Sequence, residues 1–421
     1  MKIVISTWGS TGDIQPYLAL SRRLLEVGHQ VRVCTSDIYH DRFTALGVDF
    51  YKVGSPFDED RFNKTIDAVI QIKDPLKSAL LIAKDGILYK ADEWYQDCLK
   101  GMHGYDLAIC HYADIPGQEA AIRQRLPWIT ACLCPGFFKT VYEAPAPLPN
   151  LGVGLNTIAW KFVERMMRKH FDPLFNTFIE SIGGKKRESI GLESMYSPEL
   201  NLIAASPHIS PPNPDLPRRH QYTGPWFLDE PEEKLPPHLD EFLARGSKPI
   251  VISFGSMGGT SPFQTTSLLV DAVKRTKQRA VIQSGWANLG MDRPVDGICF
   301  VKYVPHKVLF PQASCIIHHG GAGTTAAACR AGVPSVVIPH LSDQIYWGTT
   351  LRRLGVAPKI IHRRDLDEKR LSQRIAEVFS SESMGQKARE LAEKVRTEDG
   401  VGTAVNLIES FASERIPAKS G

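Results

Sequence analysis

Lys2-Ile3-Val4-Ile5-Ser6, closed by the turn Gly9-Ser10-Thr11-Gly12-Asp13, decides the fold, because the chain repeats the pattern near residue 250. There Pro249-Ile250-Val251-Ile252-Ser253-Phe254 runs into Gly255-Ser256-Met257-Gly258-Gly259. A short β-branched run ending in glycines is how a buried parallel strand hands over to a helix. Two such openings predict an α/β protein with two doubly wound parallel-sheet domains in tandem. Each would carry a ligand crevice at the carboxyl ends of its strands.

Outward from the first opening, a helix is predicted from Pro16, with Tyr17, Leu20, Leu24 and Leu25 at helical spacing and Gly28 ending it. His29–Cys34, Leu107–Cys110 and Trp128–Leu133 read as further strands, with a helix over Gly117–Arg125 stopped by Pro127. Residues 137–190 break this rhythm with Pro145, Pro147, Pro149, Gly152 and Gly154 and an aromatic, basic helix around Trp160–Phe175. Such an insertion suits the lip of a pocket better than a sheet. A proline-rich stretch from Pro207 to Pro237 reads as a semi-rigid, exposed linker. The predicted organisation is therefore a first Rossmann-like domain over 1–206 and a linker over 207–247. A second Rossmann-like domain follows over 248–399, and 400–421 holds a closing helix at Thr403–Ala412.

The bulk composition narrows the class. A chain of 421 residues with 43% hydrophobic and 23% charged residues is an ordinary globular protein of more than one domain. A net charge of +4, with no dense Lys/Arg block, argues against nucleic acid as a partner. The 8 cysteines form no Cys-x-x-Cys pair and sit in apolar runs, as reduced buried thiols do. The first apolar run is too short for a signal peptide, and no run reaches the ~20 apolar residues that span a bilayer. A cytoplasmic location is expected, compatible with peripheral membrane contact.

The densest chemistry lies in Ile316-Ile317-His318-His319-Gly320-Gly321-Ala322-Gly323-Thr324-Thr325. A strand runs into two histidines and a glycine loop, and a helix is predicted from Thr324 to near Gly332. Glycines let a backbone approach a ligand, and a helix start offers free N–H groups with partial positive charge. That is a site for a diphosphate, with a histidine at its mouth to donate a hydrogen bond. The next strand, Ser335–Pro339, is followed by His340-Leu341-Ser342-Asp343-Gln344. Asp343 and Gln344 there suit sugar hydroxyls, although Asp343 in a plain structural role would cap the helix through Leu354.

These blocks, together with Val304-Pro305-His306, Leu309-Phe310-Pro311 and Gly332-Val333-Pro334, resemble family 1 glycosyltransferases of the GT-B fold. The similarity is strongest to the branch of sterol glucosyltransferases and antibiotic-aglycone transferases. The resemblance implies two Rossmann-like domains facing across a cleft and a UDP- or dTDP-sugar as co-substrate. It assigns His319 to the phosphates, with Gly321, Gly323 and Thr324 completing the diphosphate loop. Gly255 and Ser256 would reach the phosphates, and Tyr303, Val304 and His306 would hold the base. Asp343 and Gln344 would read the sugar, with Ser10, Thr11 and Gly12 on the donor side of the first turn. Where other branches carry a Trp for the base and a Glu for the ribose, this chain has Tyr303 and Ala327, which leaves UDP against dTDP open. Where the plant branch carries a histidine base, this chain has Asp13.

Asp13 is accordingly expected to be the general base and His319 the group that steadies the leaving diphosphate, giving inversion in one displacement. A purely structural Asp13 would tether its turn or cap the first helix. His111 and Asp114 would orient or replace it. No cofactor or metal is expected: Asp58-Glu59-Asp60 has an Asp-x-Asp form but lacks the preceding apolar strand. Phe137, Phe138, Tyr142, Trp160, Phe162, Met166 and Met167 are candidates either for an apolar acceptor pocket or for core. Pro147–Gly152 resembles the acceptor region of sterol glucosyltransferases. Lys161, Arg165, Arg168 and Lys169 read as a solvated basic face, with anionic lipid as the alternative. The acceptor expected is a sterol, lipid or polyketide- or flavonoid-like aglycone. The competing classes are a non-catalytic GT-B partner protein that activates another enzyme and a nucleotide-sugar epimerase. Oligomeric state is left open.

Overall fold

The computed structural model describes residues 1–145, 148–228, 234–255, 262–285, 289–290 and 294–416. Seven strands form the first sheet: β1 (Lys2–Ser6), β2 (Gln30–Thr35), β3 (Asp49–Lys52), β4 (Leu107–His111), β5 (Trp128–Cys132), β6 (Asn201–Ile203) and β7 (His220–Tyr222). They are parallel in the order β3-β2-β1-β4-β5-β6-β7. The second sheet has five: β8 (Ile250–Ser253), β9 (Ala280–Gln283), β10 (Ile298–Val301), β11 (Cys315–His318) and β12 (Ser335–Val337), in the parallel order β10-β9-β8-β11-β12.

The opening pentapeptides are apolar throughout because both faces of each sheet are covered. In β1, Ile3 and Ile5 join Val31, Val33, Leu107 and Ile109 in one core, while Val4 joins Cys34, Ala108 and Cys110 in the other. In β8, Ile250 and Ile252 face one core and Val251 the opposite one. Each fully buried aliphatic side chain stabilises the fold by about 1.5–3 kcal/mol. All eight cysteines are buried and unpaired. No helix among the described residues is long and apolar enough to cross a membrane.

The helices that frame the site are α1 (Thr11–Glu26), α2 (Ile115–Arg123), α3 (Val153–Ser181), α4 (Ala322–Ala331), α5 (Ser342–Arg353) and α6 (Gly400–Arg415). Several start earlier than predicted, for local reasons. α1 begins at Thr11 rather than Pro16, because Ser10 stands at its N-cap and Asp13 closes the first turn. Pro16 then lies inside the helix and forgoes one backbone bond. α4 begins at Ala322 rather than Thr324, with Gly321 in extended backbone at its N-cap. The proline-rich stretch is more than a tether. Its residues His220–Tyr222 form the edge strand β7, and Trp226 is buried against Tyr17.

The last helix crosses back to the first sheet. Ala404, Val405, Ile408 and Phe411 of α6 share a core with Tyr17 and Leu18 of α1. Its entry is tight: a Cβ on Gly400 would lie 2.3 Å from the Pro225 carbonyl oxygen. Gly400→Ala should therefore lower stability by about 1–3 kcal/mol. Gly154→Ala in α3, where a Cβ meets nothing within 4 Å, should be neutral or gain up to ~1 kcal/mol. Urea midpoints compare the two; equal effects would mean that the α6 junction is looser than drawn.

Candidate functional site

Strand order reverses beside β1 in the first sheet and beside β8 in the second. Ligands of doubly wound sheets bind at the carboxyl ends of strands at such points. The residues expected to do chemistry lie at these ends: β1 leads to Asp13, β4 to His111 and Asp114, β8 to Gly255, and β11 to His319.

Asp13 is held by its own turn. Its Oδ2 accepts hydrogen bonds from the Ser10 N–H at 2.8 Å and the Ser10 hydroxyl at 3.0 Å. Gly9, at φ +120°, permits this fold-back, since a Cβ there would lie 2.5 Å from the same oxygen. Tyr39 fixes the turn from below by donating to the Gly9 carbonyl at 3.0 Å. Burial raises the Asp13 pKa above its ordinary value, against the lowering effect of the Ser10 bonds. Asp13 is thus both a turn clamp and a carboxylate of increased basicity. Thr11 and Gly12 open α1 beside it.

Asp114 occupies a different environment. It is the N-cap of α2, accepting from Gly117 N–H at 3.0 Å and from the Ser6 hydroxyl. Burial pushes its pKa up to about 6. His111 is buried, and its Nδ1 accepts from the Ala113 N–H at 3.2 Å. Burial pushes its pKa down to about 3, so the ring is neutral and its Nε2 carries the hydrogen. That nitrogen has no partner among the described residues.

In the second lobe the two histidines divide the work. His318 is fully buried, and its Nδ1 accepts from the Gly320 N–H at 3.1 Å, which pins the loop. Gly320, at φ +92°, lies so close to Val337 and the Gln344 carbonyl that any Cβ would collide. His319 follows, nearly buried, with its ring within hydrogen-bonding reach of the Ser253 backbone. Its pKa falls to about 4, through burial and then the nearby His306. His306 stacks on Phe310 at 4.2 Å and is itself lowered to about 4 by burial. These imidazoles are uncharged at neutral pH. An anion here would have to be held by N–H donors, and α4 offers them: Gly323 and Thr324 lie in its first turn, and the space around Gly323 is open.

Other expected donor residues have local duties. The Val304 N–H donates to Gln283 Oε1 at 2.8 Å, while the Tyr303 ring is exposed. Gln344 Oε1 accepts from the His340 and Leu341 N–H groups at 2.7 and 3.1 Å, so this oxygen caps α5. Gly255 takes φ +58° beside the His319 ring. Ser256 lies outside the described residues.

Asp343, second residue of α5, meets the first lobe. Burial and then the charge of Asp13 raise its pKa to about 7. The titration of Tyr112, just past β4, is raised by burial, then by Cys132 and Asp343, with Asp13 a smaller contributor. Tyr112 was not among the expected residues; its place one step beyond a central strand was the available signal. Phe137 stacks on it at 5.2 Å. Phe138 instead packs between Tyr196 and His220, each at 4.6 Å, within the core. Tyr142 lies exposed on a loop held by Thr140 and Asn150. Trp160 is buried, donating to the Glu143 carbonyl, whereas Phe162 points outward. Asp58 caps the helix Glu59–Gln71 through the Arg61 N–H, and no cluster of three or more metal-ligating groups occurs among the described residues.

Known proteins share this architecture. Residues 3–88 match the family described as Glycosyltransferase family 28 N-terminal domain, and residues 269–405 match the Erythromycin biosynthesis protein CIII-like C-terminal domain. Sterol 3-beta-glucosyltransferase UGT80B1 of Arabidopsis thaliana is 28% identical over 99% of this chain and 69% of its own length. A sterol 3-beta-glucosyltransferase of Aspergillus terreus is 30% identical over 97% of this chain, which spans only 30% of that relative. Among solved structures, the calicheamicin glycosyltransferase CalG4 superposes with a TM-score of 0.72 at 16% identity, covering 99% of both chains. The spinosyn rhamnosyltransferase SpnG, complexed with thymidine diphosphate, gives 0.67 at 16%, covering 97% of this chain and 100% of its own. At that identity they establish the fold.

The facing carboxylates make a direct prediction. Removing the Asp13 charge removes a like-charged neighbour, which favours ionised Asp343. Asp13→Asn should therefore lower the Asp343 pKa from about 7, followed by carboxyl-carbon NMR of the ligand-free protein. An unmoved titration would place the two groups too far apart to share a cleft.

Proposed function

We propose that this chain is a family 1 glycosyltransferase of the GT-B fold, in the branch of sterol and antibiotic-aglycone transferases, and that it carries out an inverting, metal-independent hexosyl transfer from a UDP- or dTDP-sugar to a hydroxyl of a sterol-like acceptor. The observation that carries the reading is the electrostatic contact between Asp13 of the first lobe and Asp343 of the second. It supports a reading in which a candidate base and a candidate sugar-reading group face one another between the lobes.

In this reaction the acceptor oxygen attacks the anomeric carbon from the first lobe's side. As the new C–O bond forms, its proton passes to the Asp13 carboxylate, whose burial raises its basicity. The bond to the diphosphate breaks with its electron pair on the leaving oxygen. The first-turn N–H groups of α4 and the neutral His319 ring receive the developing charge as hydrogen-bond donors. One displacement inverts the anomeric centre, and the scheme asks for no metal. Asp343 pairs with sugar hydroxyls; near neutral pH it can both donate and accept. The sterol-like acceptor is favoured by relatives of 28–30% identity that align along nearly the whole chain, and by the apolar wall of Tyr112 and Phe137.

Two variants separate the roles. Asp13→Asn keeps an oxygen for the Ser10 N–H and should lower kcat by about 10²–10⁴-fold, with UDP affinity held within a few fold. His319→Ala should weaken UDP binding and turnover together. Equal loss of both quantities in Asp13→Asn would reduce Asp13 to a structural clamp. Separately, EDTA should leave the rate of the wild-type enzyme unchanged; strict dependence on an added divalent cation would overturn the metal-free scheme.

A further inference from the structure

We propose that the outer face of the amino-terminal half of α3 is a docking surface for an anionic lipid bilayer. Leu151, Val153, Leu155, Ile158 and Phe162 all stand half or more exposed, Ile158 at 65% and Phe162 at 63%. Within α3, positions 155, 158 and 162 advance in steps of three and four, which places them along one stripe, and Leu151 lies just ahead of the helix start. The opposite side, carrying Asn156, Trp160, Phe171, Phe175 and Phe178, is buried inward. The stripe is therefore a second apolar face, pointing away from the core that α3 already serves.

Charge identifies the occupant. Lys161, Arg165 and Lys169 repeat every fourth residue along the same outer side, and all are exposed. None is ion-paired with a described residue, whereas the neighbouring Arg168 and Lys139 are taken up by Glu164 and Glu188. Apolar side chains flanked by unpaired cations on long stems match the acyl–headgroup boundary of an anionic membrane. There the cations reach phosphate and carboxylate groups while the apolar tips enter the acyl layer. A second copy of the chain fits less well. A stable protein interface uses roughly 20–30 residues a side, and three like charges at the centre of a self-complementary patch would repel.

The buried side of α3 is linked to the second lobe. Trp160 Nε1 donates to the Glu143 carbonyl at 2.8 Å, and the Glu143 carboxylate pairs with Arg353 of α5 at 2.5 Å. The inference goes beyond the proposed reaction and does not require it.

The test is vesicle sedimentation of the full chain without donor or acceptor. Vesicles of phosphatidylcholine with about one-third phosphatidylserine should bind ~10-fold or more tightly than phosphatidylcholine alone, and high salt should erase the difference. Ile158→Glu/Phe162→Glu should lose ~10-fold or more of the affinity. Lys161→Glu/Arg165→Glu/Lys169→Glu should lose the preference for anionic lipid. Circular dichroism and turnover of a water-soluble acceptor should stay at wild-type levels in both. Absence of binding by the wild type, or equal binding by either variant, would overturn the proposal. So would a wild-type dimer in light scattering that Ile158→Glu/Phe162→Glu dissociates. A chain that binds vesicles but transfers no sugar would sink the proposed reaction and leave this inference standing.

Discussion

Two carboxylates of like charge, Asp13 and Asp343, are held toward each other by lobes that fold around separate sheets. Burial first, and then the charge of Asp13, raises the Asp343 pKa to about 7, so the pair resists double ionisation. The rest of the architecture keeps the gap at working width. Glu143 pairs with Arg353, Ser206 bonds Glu398 at 2.6 Å, and Ser210 meets Tyr346 at 2.5 Å, each joining the first lobe to the second. The Tyr346 ring packs on the backbone of Gly136, where a Cβ would come within 2.4 Å. The α6 helix then completes the first core from the far end of the chain. A substrate that brings hydroxyls between the two carboxylates relieves their repulsion.

The donor side solves a second electrostatic problem. A diphosphate carries strong negative charge, yet the histidines around its expected place are neutral because burial disfavours their charged forms. A cationic cluster there would bind the product as firmly as the substrate and slow its release. A helix start and a neutral N–H donor are directional instead. They cost little reorganisation and strengthen as charge builds on the leaving oxygen.

The parts legible in the sequence were those encoded locally. The repeated pentapeptides specify β1 and β8, because only a strand covered on both faces tolerates an unbroken β-branched run. The glycines before α4 announce a backbone that must pass close to something, and Gly320 does pass close to Val337. What escaped depended on partners distant in sequence. β7 has three residues among prolines, and only pairing with Asn201–Ile203 makes it a strand. Gln344 was expected to read the sugar, and its side-chain oxygen additionally accepts from two N–H groups of its own turn, a local cap the sequence reading did not assign to it. Phe138 and Phe137 are adjacent, yet one is core and the other stacks on Tyr112; the geometry of a single turn, Pro135–Phe137, separates them. The carboxylate pair was the least accessible, since it joins residues 13 and 343 across two sheets.

The α3 helix shows why an insertion that reads as irregular need not be idle. Its inward aromatic residues belong to the first core, so truncating them would loosen the lobe that carries Asp13. Its outward stripe contributes nothing to that core and is unfavourable in water, because exposed leucine, isoleucine and phenylalanine gain nothing from solvent. A fold under no other demand would place polar residues there, as it does farther along the same helix at Thr177 and Glu180. The contrast between the two halves of one helix is local, so composition or helix propensity alone does not account for it. A surface that meets an apolar phase over only the first half of α3 does.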